Sequence, residues 1–138
     1  MSFIFIIKVF FIFEEINPII MAGGKKLEYV NLEYIETMSA GDEAIVKELV
    51  EVFIDQVPEF ITEMKDLYEK KDWTNLGMLA HKAKSSIAIM GMDDLAAMLK
   101  EFELNAKSGK SPEKYAGYIE RFIDETTHAV EELKAYFD

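Results

Sequence analysis

The 138-residue chain has no cysteine, only two histidines, three prolines and one tryptophan, and its 15 basic side chains face 26 acidic ones. Without cysteine there is neither a disulfide framework nor a thiolate metal site. The shortage of positive charge, a net −11 at pH 7, excludes a broad electrostatic interface with nucleic acid or an anionic membrane surface. A glycine-rich phosphate loop followed by a suitable basic or hydroxyl residue is missing, so the sequence carries no machinery for using ATP. A long apolar run is missing too. Residues 1–13 hold eleven apolar residues and five of the ten phenylalanines, but Lys8 interrupts the run and Glu14 and Glu15 end it. That falls short of the about 20 residues a membrane-spanning helix needs. Its single basic residue lies inside the apolar stretch, which argues against a secretory signal. No span and no cysteine together point to the cytoplasm.

What is present suits one domain. Half of the residues are apolar, enough for a core at this length. Residues 1–20 read as a hydrophobic appendage and a candidate for lying outside the biological chain, with Met21 as an alternative start. Pro18 and MAGGKK at 21–26 mark a boundary, and residues 21–31 are assigned to a linker.

From residue 32 the periodicity is helical. A short lead-in helix is expected near 32–38, then a long helix over 43–70, capped by Asp42 and continuing through Pro58. Its expected stripe is Ile45, Leu49, Phe53, Val57, Phe60, Met64 and Leu67. A second long helix is expected from Trp73 to Met90, burying Leu76, Leu79, Ala80, Ala83, Ile87 and Met90, with Gly91 as its stop. A third starts after Asp93 and buries Leu95, Met98, Leu99, Phe102 and Ala106. The last starts at Ser111-Pro112-Glu113, with serine as cap and proline at the first helical position, and buries a seam from Tyr115 to Phe137. Four amphipathic helices joined by short connections predict an all-α fold, an antiparallel up-down four-helix bundle with a short N-terminal lead-in helix. One such bundle buries its own stripes, so a monomer is expected. Trp73, Phe53 and Phe60 are assigned to packing.

The chemistry concentrates in residues 80–91, AHKAKSSIAIMG. On a helical wheel His81 points about 140 degrees away from Leu76, toward solvent, and Gly77, Lys84, Ser85 and Ala88 are expected on its exposed side. The small residues leave room for a partner to approach the ring. A neutral imidazole nitrogen is a good nucleophile near pH 7. Lys84 could offset the charge of a phosphoryl group, and Lys82 could assist encounter from the edge. Ser85 and Ser86 are candidate hydrogen-bonding neighbours. No acidic residue can be tied to His81 by sequence distance as a base-orienting partner, which disfavours a self-contained hydrolase. His128 lies on a different helix and has no assigned role.

This segment resembles the histidine-containing phosphotransfer domain family. The family places a phosphoaccepting histidine on the second long helix, a lysine three residues later, a small residue next and a glycine ten residues after the histidine. Here these are His81, Lys84, Ser85 and Gly91. Ser85 stands where relatives often have glycine, and Ala83 where they often have leucine. The resemblance covers roughly residues 32–137 and implies a phosphotransfer domain over 32–138. It also implies a relay in which His81 accepts a phosphoryl group from a receiver-domain aspartyl phosphate and passes it to another receiver aspartate. The implied partners are response-regulator receiver domains, with a hybrid sensor histidine kinase as a further candidate. No cofactor is implied on this chain, and Mg²⁺ is expected in the receiver partner. The assignment is thus His81 as phosphoacceptor, Lys84 for charge stabilisation, Gly77, Lys82, Ser85 and Ala88 for docking, and Gly91 for structure. The competing reading is a non-catalytic helical protein-interaction module, which His81→Gln distinguishes by its effect on phosphorylation.

Overall fold

The computed structural model describes residues 27–138. The appendage over 1–20 and the boundary at 21–26 lie outside the described residues. The described chain is all-α. A short helix α1 (Glu33–Met38) leads into α2 (Glu43–Glu69), α3 (Trp73–Ile89), α4 (Asp93–Lys107) and α5 (Tyr115–Tyr136), the last preceded by a 3₁₀ turn over Pro112–Lys114. Connections of a few residues fold each long helix back against the one before. The contacts α2–α3, α3–α4, α4–α5 and α2–α5 close the ring of four, and α1 packs on α2.

The helix starts follow local chemistry. The Asp42 side chain accepts from the Ala44 and Ile45 N–H groups at 3.0 and 3.4 Å, satisfying donors that the first turn leaves free. Asp72 does the same for α3 through Asn75 N–H at 3.3 Å. Helix α2 runs unbroken through Pro58. The N-terminal part of its expected stripe needs correcting. Val46 and Val50 are buried and continue the same face as Phe53, Val57, Phe60 and Met64, while Ile45 is exposed and Leu49 only partly covered. The spacing from Val46 to Met64 alternates four and three residues, whereas Ile45 and Leu49 lie about 100 degrees round the helix, at the edge of the bundle. Ser111 is a second correction. It adopts a left-handed conformation (φ 57°) and makes no side-chain cap.

All six residues expected to be buried along α3, and all five along α4, are buried. The aromatic residues pack as expected: Phe53 and Phe60 are buried, Phe60 meets Phe122 edge-on at 6.4 Å, and Trp73 meets Tyr115 edge-on at 5.0 Å. Each fully buried Leu or Phe side chain contributes roughly 1.5–3 kcal/mol.

Residues 27–31, expected as the end of a linker, are instead fastened to the bundle. The backbone N–H groups of Glu28, Tyr29 and Val30 all donate to the Glu132 carboxylate on α5, at 2.8–2.9 Å. Tyr29 stacks on His128 with ring centroids 5.1 Å apart, and Val30 is buried. The strap then crosses to the end of α3, where Asn31 N–H donates to the Met90 carbonyl at 2.9 Å. Gly91 lies beneath it at φ 70°, and a Cβ there would stand 2.3 Å from the Asn31 carbonyl oxygen. Gly91 therefore serves both as the left-handed helix stop and as the seat of the strap. Among the described residues, no helix is long and apolar enough to cross a membrane.

Candidate functional site

His81 sits midway along α3 on its outer face, with 58% of its side chain exposed. Its phase follows from the sequence: Leu76, Ala80, Ala83 and Ile87 are buried, which turns position 81 outward. The ring is nevertheless not free. Its Nδ1 is paired with Oε1 of Glu103, a residue 22 positions later on α4 whose side chain is only 7% exposed. Glu103 also faces two ammonium groups, with Lys84 Nζ 3.7 Å from Oε2 and Lys107 Nζ 3.6 Å from Oε1.

Burial acts to raise the Glu103 pKa. The hydrogen bond with His81 and the positive charges of Lys84 and Lys107 outweigh it and hold the carboxyl below the usual carboxylate range. Glu103 is therefore an ionised acceptor at neutral pH. An ionised carboxylate can only accept, so a neutral His81 ring carries its proton on Nδ1 and leaves the Nε2 lone pair unprotonated. The arrangement is thus a buried anion that fixes the tautomer of an exposed imidazole, flanked by two lysines.

Glu103 is the residue that sequence distance could not supply, since its partner lies on another helix. One signal was present. Glu103 falls four residues after Leu99 and one after Phe102, both buried, so a carboxylate stands where the helical period calls for an apolar side chain. Lys107, one turn further along α4, was missed for the same reason.

The structure separates the other expected residues. Lys82, Ser85 and Ala88 are exposed on the His81 side of α3. Met78, one turn before His81, is exposed as well. Lys84 is more enclosed than expected, because its ammonium leans toward Glu103. Ser86 reaches the other way, donating to Gln56 Oε1 on α2 at 2.9 Å. Gly77 requires a correction: it is buried, not part of the exposed face. Helix α4 passes directly over it, so the wheel position that looked open is covered by a neighbour that the sequence of α3 alone does not reveal. Beside Ala88, a shallow hollow lies between α1 and the end of α3, lined among others by Tyr34, Thr37, Ile89 and Gly91.

No curated protein and no solved structure matches the chain. A family model described as Hpt domain matches residues 48–136, which span most of α2 and all of α3, α4 and α5. Members of that family are phosphotransfer proteins that act with receiver domains in phosphorelays and do not themselves use ATP. The match covers well over half of the chain and includes both His81 and the carboxylate that orients it, so the protein belongs to the histidine-containing phosphotransfer (Hpt) domain family.

Proposed function

We propose that His81 is the phosphoacceptor, taking a phosphoryl group from the aspartyl phosphate of one receiver domain and delivering it to an aspartate of another. The observation that supports this most directly is the pairing of Nδ1 with a buried, ionised Glu103 on a ring whose other side is open. The Nε2 lone pair attacks phosphorus, an N–P bond forms, and the acyl-phosphate P–O bond breaks with its electron pair leaving on the receiver's carboxylate. The imidazole retains its Nδ1 proton and becomes cationic on phosphorylation. Glu103 stabilises that charge from the side opposite the incoming group. Delivery to the next receiver is the reverse.

Lys84 acts in two ways. Its ammonium helps keep Glu103 ionised, and its place one turn from His81 lets it offset charge on the phosphoryl oxygens. In this reading Mg²⁺ belongs to the receiver, a hard cation on that partner's carboxylates and the phosphoryl oxygens. The receiver docks over Lys82, Ser85 and Ala88, whose two short side chains allow close approach, and extends toward the hollow beside α1. A surface of net charge −11 disfavours strongly acidic partners, with Lys82 and Lys84 as the local exception.

The test is transfer from phosphorylated candidate receivers to the wild-type chain and to His81→Gln. Wild type is expected to acquire label stable to alkali and labile to acid, and the variant to acquire none while retaining its helical spectrum. Labelling of His81→Gln at the wild-type rate removes His81 from the mechanism, and the fold is then better read as an interaction module.

A further inference from the structure

Gly77 lies inside α3, where glycine costs helix stability relative to alanine. Its φ is not left-handed, so backbone conformation does not call for it. Close approach does. A Cβ on residue 77 would stand 2.8 Å from Lys107 Cγ, 2.9 Å from the Lys107 backbone nitrogen and 3.1 Å from the Glu103 carbonyl oxygen. The first of these atoms belongs to a flexible side chain and could swing away. The other two are backbone and yield only if α4 moves. Gly117, in the first turn of α5, makes a useful contrast, because a Cβ there would meet nothing within 4 Å.

The residues over Gly77 are the two that α4 contributes to the site. Glu103 pairs with His81, one helical turn after Gly77 on α3, and Lys107, one turn after Glu103 on α4, lies beside the same carboxylate. The two helices therefore register turn against turn, with the glycine contact at one rung and the histidine–glutamate pair at the next. A side chain at 77 would lift α4 and draw the Glu103 carboxylate away from Nδ1.

We infer that Gly77 is a positioning residue for phosphoryl acceptance: by having no side chain it sets the depth at which α4 rests on α3, which seats Glu103 on His81 Nδ1 and keeps Nε2 as the open nucleophile. The bearing on rate rests on His81 being the phosphoacceptor. The tautomer that the seam imposes does not, and it is measurable with no phosphoryl donor present.

The experiment reads the two imidazole ¹⁵N shifts of His81 in the neutral ring, and separately the rate of phosphoryl uptake from phosphoramidate. Wild type is expected to carry its proton on Nδ1. Gly77→Ala is expected to shift the population toward the Nε2–H form that free histidine favours in water, and to slow uptake by about tenfold to a hundredfold, the scale of a misplacement of about 1 Å near a reacting group. Gly117→Ala is expected to keep the wild-type tautomer and rate. Glu103→Asp withdraws the carboxylate by one methylene with the seam intact and is expected to reproduce the Gly77→Ala tautomer shift, which maintains the test should Gly77→Ala not fold. A folded Gly77→Ala with wild-type tautomer and uptake overturns the inference, as does a wild-type tautomer in Glu103→Asp. A chain that takes no phosphoryl group but shows the tautomer shift in Gly77→Ala refutes the phosphoacceptor reading and supports the seating.

Discussion

At the scale of single residues, Glu103 decides what His81 can do. A buried carboxylate is costly unless its charge is balanced, and here one ring N–H and two ammonium groups balance it. Because its folded-state pKa is depressed, the stabilisation it contributes is present above the unfolded value of about 4.3 and is lost as pH falls through the folded value. Acid unfolding of the wild type is therefore expected to steepen below about pH 4, and Glu103→Gln to flatten that part of the profile, as measured by denaturant midpoints at a series of pH values. At neutral pH, Glu103→Gln is expected to cost about 1–3 kcal/mol, since it replaces charge-assisted pairing with a neutral amide beside two lysines. An unchanged midpoint would show that Glu103 contributes little to the fold. The outward position of His81 was legible from the apolar stripe of α3, and the lysine and glycine that follow it at set spacings carry the family resemblance. Glu103 was not, because a pairing 22 residues away depends on how two helices meet, and only its misfit on an apolar stripe hinted at it.

The helices themselves were legible where the pattern was long and regular. Every apolar residue expected on the buried sides of α3 and α4 is buried, with Gly77 and Glu103 buried besides, and Asp42 caps α2 as its side-chain chemistry suggests. Apart from Gly77, which α4 covers, the misreadings fall at edges. Ile45 and Val46 both suit a core, and the choice between them depends on the angle at which α2 meets its neighbours. Ser111 has the right chemistry for a cap but the wrong backbone, since its left-handed conformation turns the chain into the 3₁₀ turn instead. Gly91 belongs to this scale as well. Gly91→Ala is expected to destabilise by roughly 2 to 4 kcal/mol, from a left-handed alanine together with a Cβ driven into the Asn31 carbonyl. Thermal melting checks this, and a loss below about 0.5 kcal/mol, the scale of an ordinary surface substitution, would contradict the close seating of the strap on the end of α3.

Over the whole molecule, short loops and four stripes were enough to anticipate a closed ring of antiparallel helices, but not the strap that ties residues 27–31 across its end. That tie joins backbone donors at 28–30 to a carboxylate more than 100 positions later, and nothing in the run LEYVN at 27–31 announces an acceptor so distant. Glu132→Ala is expected to raise the amide hydrogen-exchange rates of Glu28, Tyr29 and Val30 by about tenfold or more, as charge-assisted bonds worth about 1.5–3 kcal/mol are lost. The amides of α3 should keep their protection. Unchanged exchange at 28–30 would mean that the carboxylate is not what holds the strap. Fluorescence follows one end of the bundle and not the other. The only tryptophan, Trp73, opens α3 with Tyr68 of α2 and Tyr115 of α5 against its ring, at 5.7 and 5.0 Å, whereas the strap crosses near the other end of that 17-residue helix, about 25 Å away along its axis. Tryptophan emission thus reports the docking of three helices at one end and is blind to the release of the strap at the other, which makes it a built-in optical probe that distinguishes local opening from collapse of the bundle.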